Sequence, residues 1–77
     1  MTPEEYKVAH DLGVQMLNMC KDHYKQSEDI FTAAHKTAEH FVESGIMRCS
    51  AKDLAGQLVM EMQHHIRPNG ELIDNNT

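Results

Sequence analysis

Cys20 and His23 are the two residues of this sequence that come closest to forming a chemical site. Residues three apart lie on one face of a helix, so a thiolate and an imidazole at this spacing supply half of a tetrahedral zinc site. A second pair is required, but His35 and His40 are five residues apart and point about 140° away from each other around a helix. We therefore expect no metal and no cofactor, and we interpret Cys20 as a buried thiol beside a surface histidine.

Patterns typical of enzyme active sites are missing from the sequence. It contains no glycine-rich phosphate loop, no nucleophile elbow and no carboxylate pair at catalytic spacing. A chain of three helices also offers little surface for a pocket of enzyme size. We therefore predict a protein that is not an enzyme and has no catalytic residues.

The region from residue 40 to residue 54 has the outline of a helix-turn-helix, with Gly45 at the turn. If this region binds DNA, it presents Arg48, Lys52 and Gln57 to the duplex. The excess of acidic residues, with a formal net charge of −5, weakens any attraction to the phosphate backbone. A DNA-binding transcriptional regulator is therefore an alternative function and not the favoured one.

A further alternative is an oligomeric protein that sequesters a small anionic ligand. Helix N-termini bind anions through their unpaired N–H groups, and Lys7 or Lys25 would add positive charge. One chain of this size has little room for a ligand pocket. Association of several copies would therefore have to create the site.

The tyrosines and methionines indicate a contact surface for another protein. Both residue types are common where one protein binds another, and the sequence contains two tyrosines and six methionines. We predict partner binding through a helical face that carries Tyr6, Met19, Tyr24 and Met60. The leading functional hypothesis is thus a small non-enzymatic interaction module that regulates, links or inhibits a larger protein.

Three helix-start signals divide the chain into the elements that carry these residues. Thr2 precedes Pro3 and two glutamates, and both Ser27 and Ser50 precede segments with helical patterns. Each hydroxyl can accept a hydrogen bond from an N–H group in the first turn of a helix. Together with apolar residues at helical spacing, these signals predict helices from Pro3 to about Lys25, from just after Ser27 to about Ser44 and from Ala51 to about Ile66.

The signal at Ser27 leaves two arrangements open. Neither of the two residues before it is a glycine or a proline, so one continuous helix through residues 3–44 is an alternative to two separate helices. In either arrangement the spacing predicts an apolar face that includes Phe31 and Phe41.

The predicted fold class is all-α: a small three-helix bundle in which a long antiparallel helical hairpin packs against a third helix. The 77 residues allow one domain, which we place at residues 1–67, followed by a mobile tail at residues 68–77. A core of this size is marginal, and we expect a homo-oligomer to supplement it. Two cysteines without a disulfide framework and the lack of a long apolar run predict a cytoplasmic protein with no membrane-spanning segment.

Overall fold

Three α-helices that pack against one another make up most of residues 2–73, the range that the computed structural model describes. α1 comprises Pro3–Ser27, α2 comprises Ile30–Glu43 and α3 comprises Ala51–Met62, with a 3₁₀ turn at Gln63–His65 after α3. The predicted all-α fold class is therefore confirmed, although α3 ends at Met62 rather than near Ile66. No helix in residues 2–73 is both long and apolar enough to cross a lipid bilayer.

The first and third helix-start signals act as predicted. The Thr2 hydroxyl accepts a hydrogen bond of 3.1 Å from the Glu5 N–H, and Pro3 occupies the first position of α1. The Ser50 hydroxyl accepts an equivalent bond of 3.1 Å from the Asp53 N–H at the start of α3. Because the partners lie only three residues apart in the sequence, residue types alone predict these contacts.

The junction between α1 and α2 differs from the prediction. Ser27 is the last residue of α1, where its hydroxyl donates to the His23 carbonyl at 3.0 Å, and the N-cap of α2 is Asp29. Between the helices Glu28 has a φ of 55°, a left-handed conformation that reverses the chain, and its N–H donates to the Tyr24 carbonyl. The predicted capping role of Ser27 is wrong, because a serine hydroxyl can also bond a carbonyl of its own helix, and α2 begins at Ile30. The alternative of one continuous helix is wrong too.

The Asp29 carboxylate holds the start of α2 through two hydrogen bonds. One oxygen accepts from the Phe31 N–H at 3.1 Å and the other accepts from the Thr32 hydroxyl at 2.8 Å. These bonds, that of Thr32 foremost, lower the pKa of the Asp29 carboxyl. A lowered pKa in the folded state stabilises the fold above the unfolded-state pKa of about 3.9, and this contribution is lost as the pH falls through the folded-state value.

We expect acid to weaken this cap. The urea midpoint of the natural chain should fall between about pH 5 and about pH 2.5 as carboxylates gain protons. The variant Asp29→Asn should show a smaller fall, because its amide oxygen still caps α2 but does not titrate. Urea unfolding followed by circular dichroism at several pH values measures the difference. Equal pH dependence of the two proteins would contradict this role of Asp29.

α2 is the central helix of the bundle. It packs along both α1 and α3, which contact each other over a shorter stretch. The buried face of α2 consists largely of small side chains, which let both neighbours approach closely. Thr37 is buried on this face, and its hydroxyl donates to the Ala33 carbonyl at 2.9 Å. The neighbouring helices complete the core with Cys20, Tyr24, Leu54, Leu58 and Met62.

Phe31 does not lie on the buried face of α2, contrary to the prediction. Its side chain is 68% exposed, whereas that of Phe41 is 3% exposed. The two residues are ten positions apart, which places their side chains about 80° apart around a helix. The buried arc passes through Ala34, Thr37 and Phe41, and Phe31 falls outside it.

The chain after α3 turns back in a tight hairpin. Ile66 and Leu72 form an isolated antiparallel bridge, and Gly70, with a φ of 89°, lies in the turn between them. The Tyr24 hydroxyl donates to the Gly70 carbonyl at 2.6 Å, which joins the hairpin to α1. The predicted mobile tail at residues 68–77 therefore begins with a hydrogen-bonded turn, and its last four residues lie outside the described range.

Candidate functional site

α1 extends well beyond the helix that packs against it. At about 1.5 Å per residue, its 25 residues span about 37 Å, whereas the 14 residues of α2 span about 21 Å. Every residue from Thr2 to Asp11 is exposed. We refer to Pro3–Asp11 as the α1 arm. The arm presents apolar side chains to solvent, with Tyr6 66% exposed and Val8 68% exposed.

A groove continues from the α1 arm between α1 and α3, and its volume is about 490 Å³. We call it the α1–α3 groove. It is lined by Ala9, His10, Gly13, Val14, Met16 and Leu17 on α1 and by Leu54, Gln57, Leu58, Glu61 and His65 on the α3 side. Most of these side chains are apolar. Such a lining is typical of surfaces that receive a ligand or an amphipathic helix.

Gly13 lies in the wall of the α1–α3 groove, in the interior of α1. A glycine at such a position costs about 1 kcal/mol relative to alanine. A Cβ atom built at Gly13 would meet no heavy atom within 4 Å, so no contact within the described part of the chain requires a small residue there. The lack of a side chain keeps this part of the groove open to close approach by another backbone.

His10, Glu61 and His65 place polar groups along the groove. The His10 ring stacks on the ring of Tyr6, with 6.4 Å between the centroids. Nε2 of His65 lies 4.0 Å from a Glu61 carboxylate oxygen, and the buried Nδ1 of His65 has no hydrogen-bond partner. The exposed side chains of His10 and Glu61 can therefore orient a segment bound in the groove by hydrogen bonds, in addition to apolar contact.

The four residues predicted to bind a partner do not form one surface. Tyr6 belongs to the α1 arm, and Met60 is exposed on α3. Met19 is half-buried against the core, and Tyr24 is buried, with its hydroxyl bonded to Gly70. The burial of Tyr24 does not favour its predicted role in partner binding. Its hydrogen-bond acceptor lies 46 residues further along the chain, beyond the reach of any local pattern.

The residues of the groove are predictable only in part. Leu54 and Leu58 are four residues apart on α3, and Val14 and Leu17 are three apart on α1, so helical spacing predicts that each pair shares one face. Their spacing does not reveal the gap between the two faces, because that gap depends on how α2 separates its neighbours. Gly13 is the local signal, since an interior glycine that weakens a helix often has a packing or functional reason.

The residues of the DNA-binding alternative lie on different parts of the molecule. Arg48 belongs to the connection at residues 44–50, and Lys52 belongs to the first turn of α3. Gln57 lines the α1–α3 groove, about 140° around the helix from Lys52. The seven-residue connection is longer than the turn of about three or four residues in a helix-turn-helix. This arrangement does not favour contact of all three side chains with one DNA groove.

Lys7 and Lys25 are too far apart on α1 to hold one small anion together. They are 18 residues apart in the sequence, which is about 27 Å along a helix. Lys7 lies on the α1 arm, and Lys25 lies in the last turn, at the negative end of the helix dipole. One chain therefore does not bring these two side chains to a common site.

Cys20 and His23 lack further ligands within the described part of the chain. No group of three His, Cys, Asp or Glu side chains in residues 2–73 is placed to hold a metal ion. Cys20 is fully buried, with its thiol hydrogen-bonded to the Thr37 side chain. Burial raises the pKa of the Cys20 thiol, and the smaller effect of the bond with Thr37 opposes that rise.

We expect the two cysteines to differ in reactivity. Cys49 is exposed in the connection before α3 and should react with Ellman's reagent under native conditions. Cys20 should react more slowly by about two orders of magnitude or more, because the fold must open before a thiolate forms and meets the reagent. The time course of absorbance measures both rates, and a Cys49→Ser variant isolates the slow one. Rapid reaction of that variant in native buffer would contradict the burial of Cys20.

No family model, no curated protein and no solved structure matches this chain. We therefore base the functional conclusion on the geometry of the α1 arm and the α1–α3 groove.

Proposed function

We propose that this chain is a small non-enzymatic interaction module that binds a helical segment of a protein partner in the α1–α3 groove. The observation that carries the proposal is the α1 arm, a capped helical segment that leads directly into the groove and exposes Tyr6 on the groove side of α1. A short helix whose side chains are all exposed is only marginally stable by itself. Docking to a partner would supply the apolar burial that the arm lacks.

The groove has the form that helix-in-groove recognition uses. α1 and α3 make two walls, so a helix laid between them would complete a four-helix arrangement. Val14, Met16 and Leu17 would provide apolar contact, and His10 and Glu61 would orient the bound segment. Such a module acts as a regulator, an adaptor or an inhibitor of the protein that it binds.

We place this module in the cytoplasm and expect it to act as a homo-oligomer. Both of its cysteines are free, and unpaired thiols are typical of reducing compartments. A chain of 77 residues buries only a small core, so association with other chains would add to its stability.

Site-specific photocrosslinking in the cells that make the protein tests the proposed docking surface. Tyr6 and Val14 are replaced one at a time by a photoreactive phenylalanine analogue, and the masses of the adducts are measured. Gln15 is the matched control, because it is exposed on α1 and is absent from the groove lining. We expect protein adducts from positions 6 and 14 and none from position 15. Equal labelling from all three positions, or no adduct from any, would contradict the proposal.

A further inference from the structure

We infer that a shallow hollow beside Tyr24 binds an arginine side chain of a partner protein. The hollow has a volume of about 320 Å³ and lies where the end of α1, the start of α2 and the C-terminal hairpin meet. We call it the Tyr24 hollow, and it is lined by Tyr24, Glu28, Asp29, Ile30, Gln63 and Ile66. None of these residues lines the α1–α3 groove, so the inference does not depend on the proposed function of that groove.

Three apolar side chains make the walls of the Tyr24 hollow. Tyr24 is held in place by the hydrogen bond from its hydroxyl to the Gly70 carbonyl. Ile66 is held by its bridge to Leu72 and, like Ile30, is half-buried. Because contacts within the chain already fix these walls, the hollow is formed before a ligand arrives. It offers an apolar surface for the methylene groups of a long basic side chain.

Glu28 occupies a position that does not suit a glutamate. Its φ of 55° lies in the left-handed region, where glycine is favoured because it has no Cβ atom. It also follows the last residue of α1, at the negative end of the helix dipole, where a carboxylate is unfavourable. Residues held in such conformations against their local preference are frequent at functional sites. A role of the carboxylate in binding a cation from outside the chain accounts for a glutamate at this position.

The Glu28 carboxylate has no partner within the described part of the chain, where only the Glu28 N–H is bonded. Asp29 adds a second negative charge, but its two oxygens already accept from the Phe31 N–H and the Thr32 hydroxyl. Lys25, one turn before Glu28, forms an ion pair with neither carboxylate. Two carboxylates and no basic side chain among the six lining residues give the hollow a formal charge of −2, which favours a cation.

An arginine side chain matches each part of the Tyr24 hollow. Its planar guanidinium can donate two parallel hydrogen bonds to the Glu28 carboxylate and can stack on the Tyr24 ring. The side-chain oxygen of Gln63 is a further acceptor, and the arginine stem can lie against Ile30 and Ile66. A lysine ammonium is more strongly hydrated and lacks the planar group that stacks and makes parallel bonds. Lysine should therefore bind more weakly than arginine.

NMR titration of the full chain with blocked amino acids tests this site. Nα-acetyl-arginine amide is the probe, and the citrulline compound is its control, because citrulline has nearly the same shape as arginine but no charge. We expect the arginine probe to shift the backbone amide signals of residues 28–30 and 63–66, with a dissociation constant of about 1–10 mM. The lysine compound should shift these signals less, and the citrulline compound should leave them unchanged. Equal shifts from the arginine and citrulline compounds would overturn the inference.

A matched pair of glutamine variants tests the role of Glu28. Glu28→Gln keeps the left-handed position and removes the charge, whereas Glu43→Gln makes the same change at the end of α2, outside the hollow. Loss of the charged acceptor should raise the dissociation constant of the arginine probe by about tenfold or more in Glu28→Gln. Glu43→Gln should bind the probe as the natural chain does. Equal affinity of the two variants for the probe would contradict the assignment of Glu28.

Glu28→Gly separates binding from stability. Glycine suits a φ of 55°, so this variant should unfold at a higher urea concentration than the natural chain, although it loses affinity for the arginine probe. Urea unfolding followed by circular dichroism and the same NMR titration measure the two effects. Undiminished binding by Glu28→Gly, or a lower urea midpoint, would overturn the inference. Photocrosslinking from Tyr6 and Val14 tests the groove separately, so either conclusion can fail without the other.

Discussion

Replacement of Phe41 by alanine is expected to lower the free energy of unfolding by about 3–5 kcal/mol. The Phe41 side chain is buried in the core on α2, and its ring makes an edge contact with His40, 5.4 Å between centroids. Alanine would remove this apolar contact and leave a cavity that the neighbouring helices can fill only in part. A domain of 77 residues has a total stability of about 4–12 kcal/mol, so the variant would lose about a quarter of it or more.

Phe31→Ala is the matched control for this prediction. It makes the same change in the same helix, but the Phe31 side chain is largely exposed, and its loss should change the free energy by less than about 0.5 kcal/mol. Urea unfolding of both variants at one fixed protein concentration measures the difference, and the fixed concentration removes any effect of association. Similar losses in the two variants would mean that Phe41 is not at the centre of the core.

Replacement of Met62 by alanine should lower the free energy of unfolding by about 2–5 kcal/mol. Met62 has no exposed surface and is among the largest fully buried side chains in the described part of the chain. It lies at the end of α3, where the chain passes into the 3₁₀ turn. Its loss should therefore also loosen the hairpin that follows, and thermal unfolding should shift down by roughly 4–8 °C for each kcal/mol lost.

Met60→Ala provides the matched control on α3. The Met60 side chain is 68% exposed, so its truncation should leave the melting temperature within about 4 °C of the natural chain. Met60 stays a predicted partner-binding residue, and its exposure is compatible with that role. If Met60→Ala destabilises the chain as much as Met62→Ala does, the orientation of α3 described above is wrong.

The buried and exposed members of these pairs differ in their direction around a helix. Met60 and Met62 are two residues apart, which places their side chains about 160° apart on α3. Periodicity in the sequence predicts this contrast, and it also separates Phe31 from Phe41 once the centre of the buried arc is known. That centre was not predictable locally, because it depends on where α1 and α3 lie against α2.

The two tyrosines differ in burial for another reason, which helical periodicity does not predict. Tyr6 and Tyr24 are 18 residues apart, about five full turns, so their side chains share one side of α1. Tyr24 is buried because α2 and the C-terminal hairpin reach it, whereas Tyr6 lies on the α1 arm, about 27 Å further along the helix. The sequence-based prediction gave both tyrosines the same partner-binding role. The length of α2 determines which of the two is buried.

By itself, the sequence determined the all-α class and the starts of α1 and α3. These features depend on apolar periodicity and on hydroxyl caps such as Thr2 and Ser50, whose physical causes act within a few residues. Only the tertiary structure decided that α1 ends at Ser27, that α1 extends beyond α2 and that a groove lies open beside Gly13. These features arise from contacts between residues distant in the chain. Burial depends on which helices pack together, at which residues along each helix and on which face.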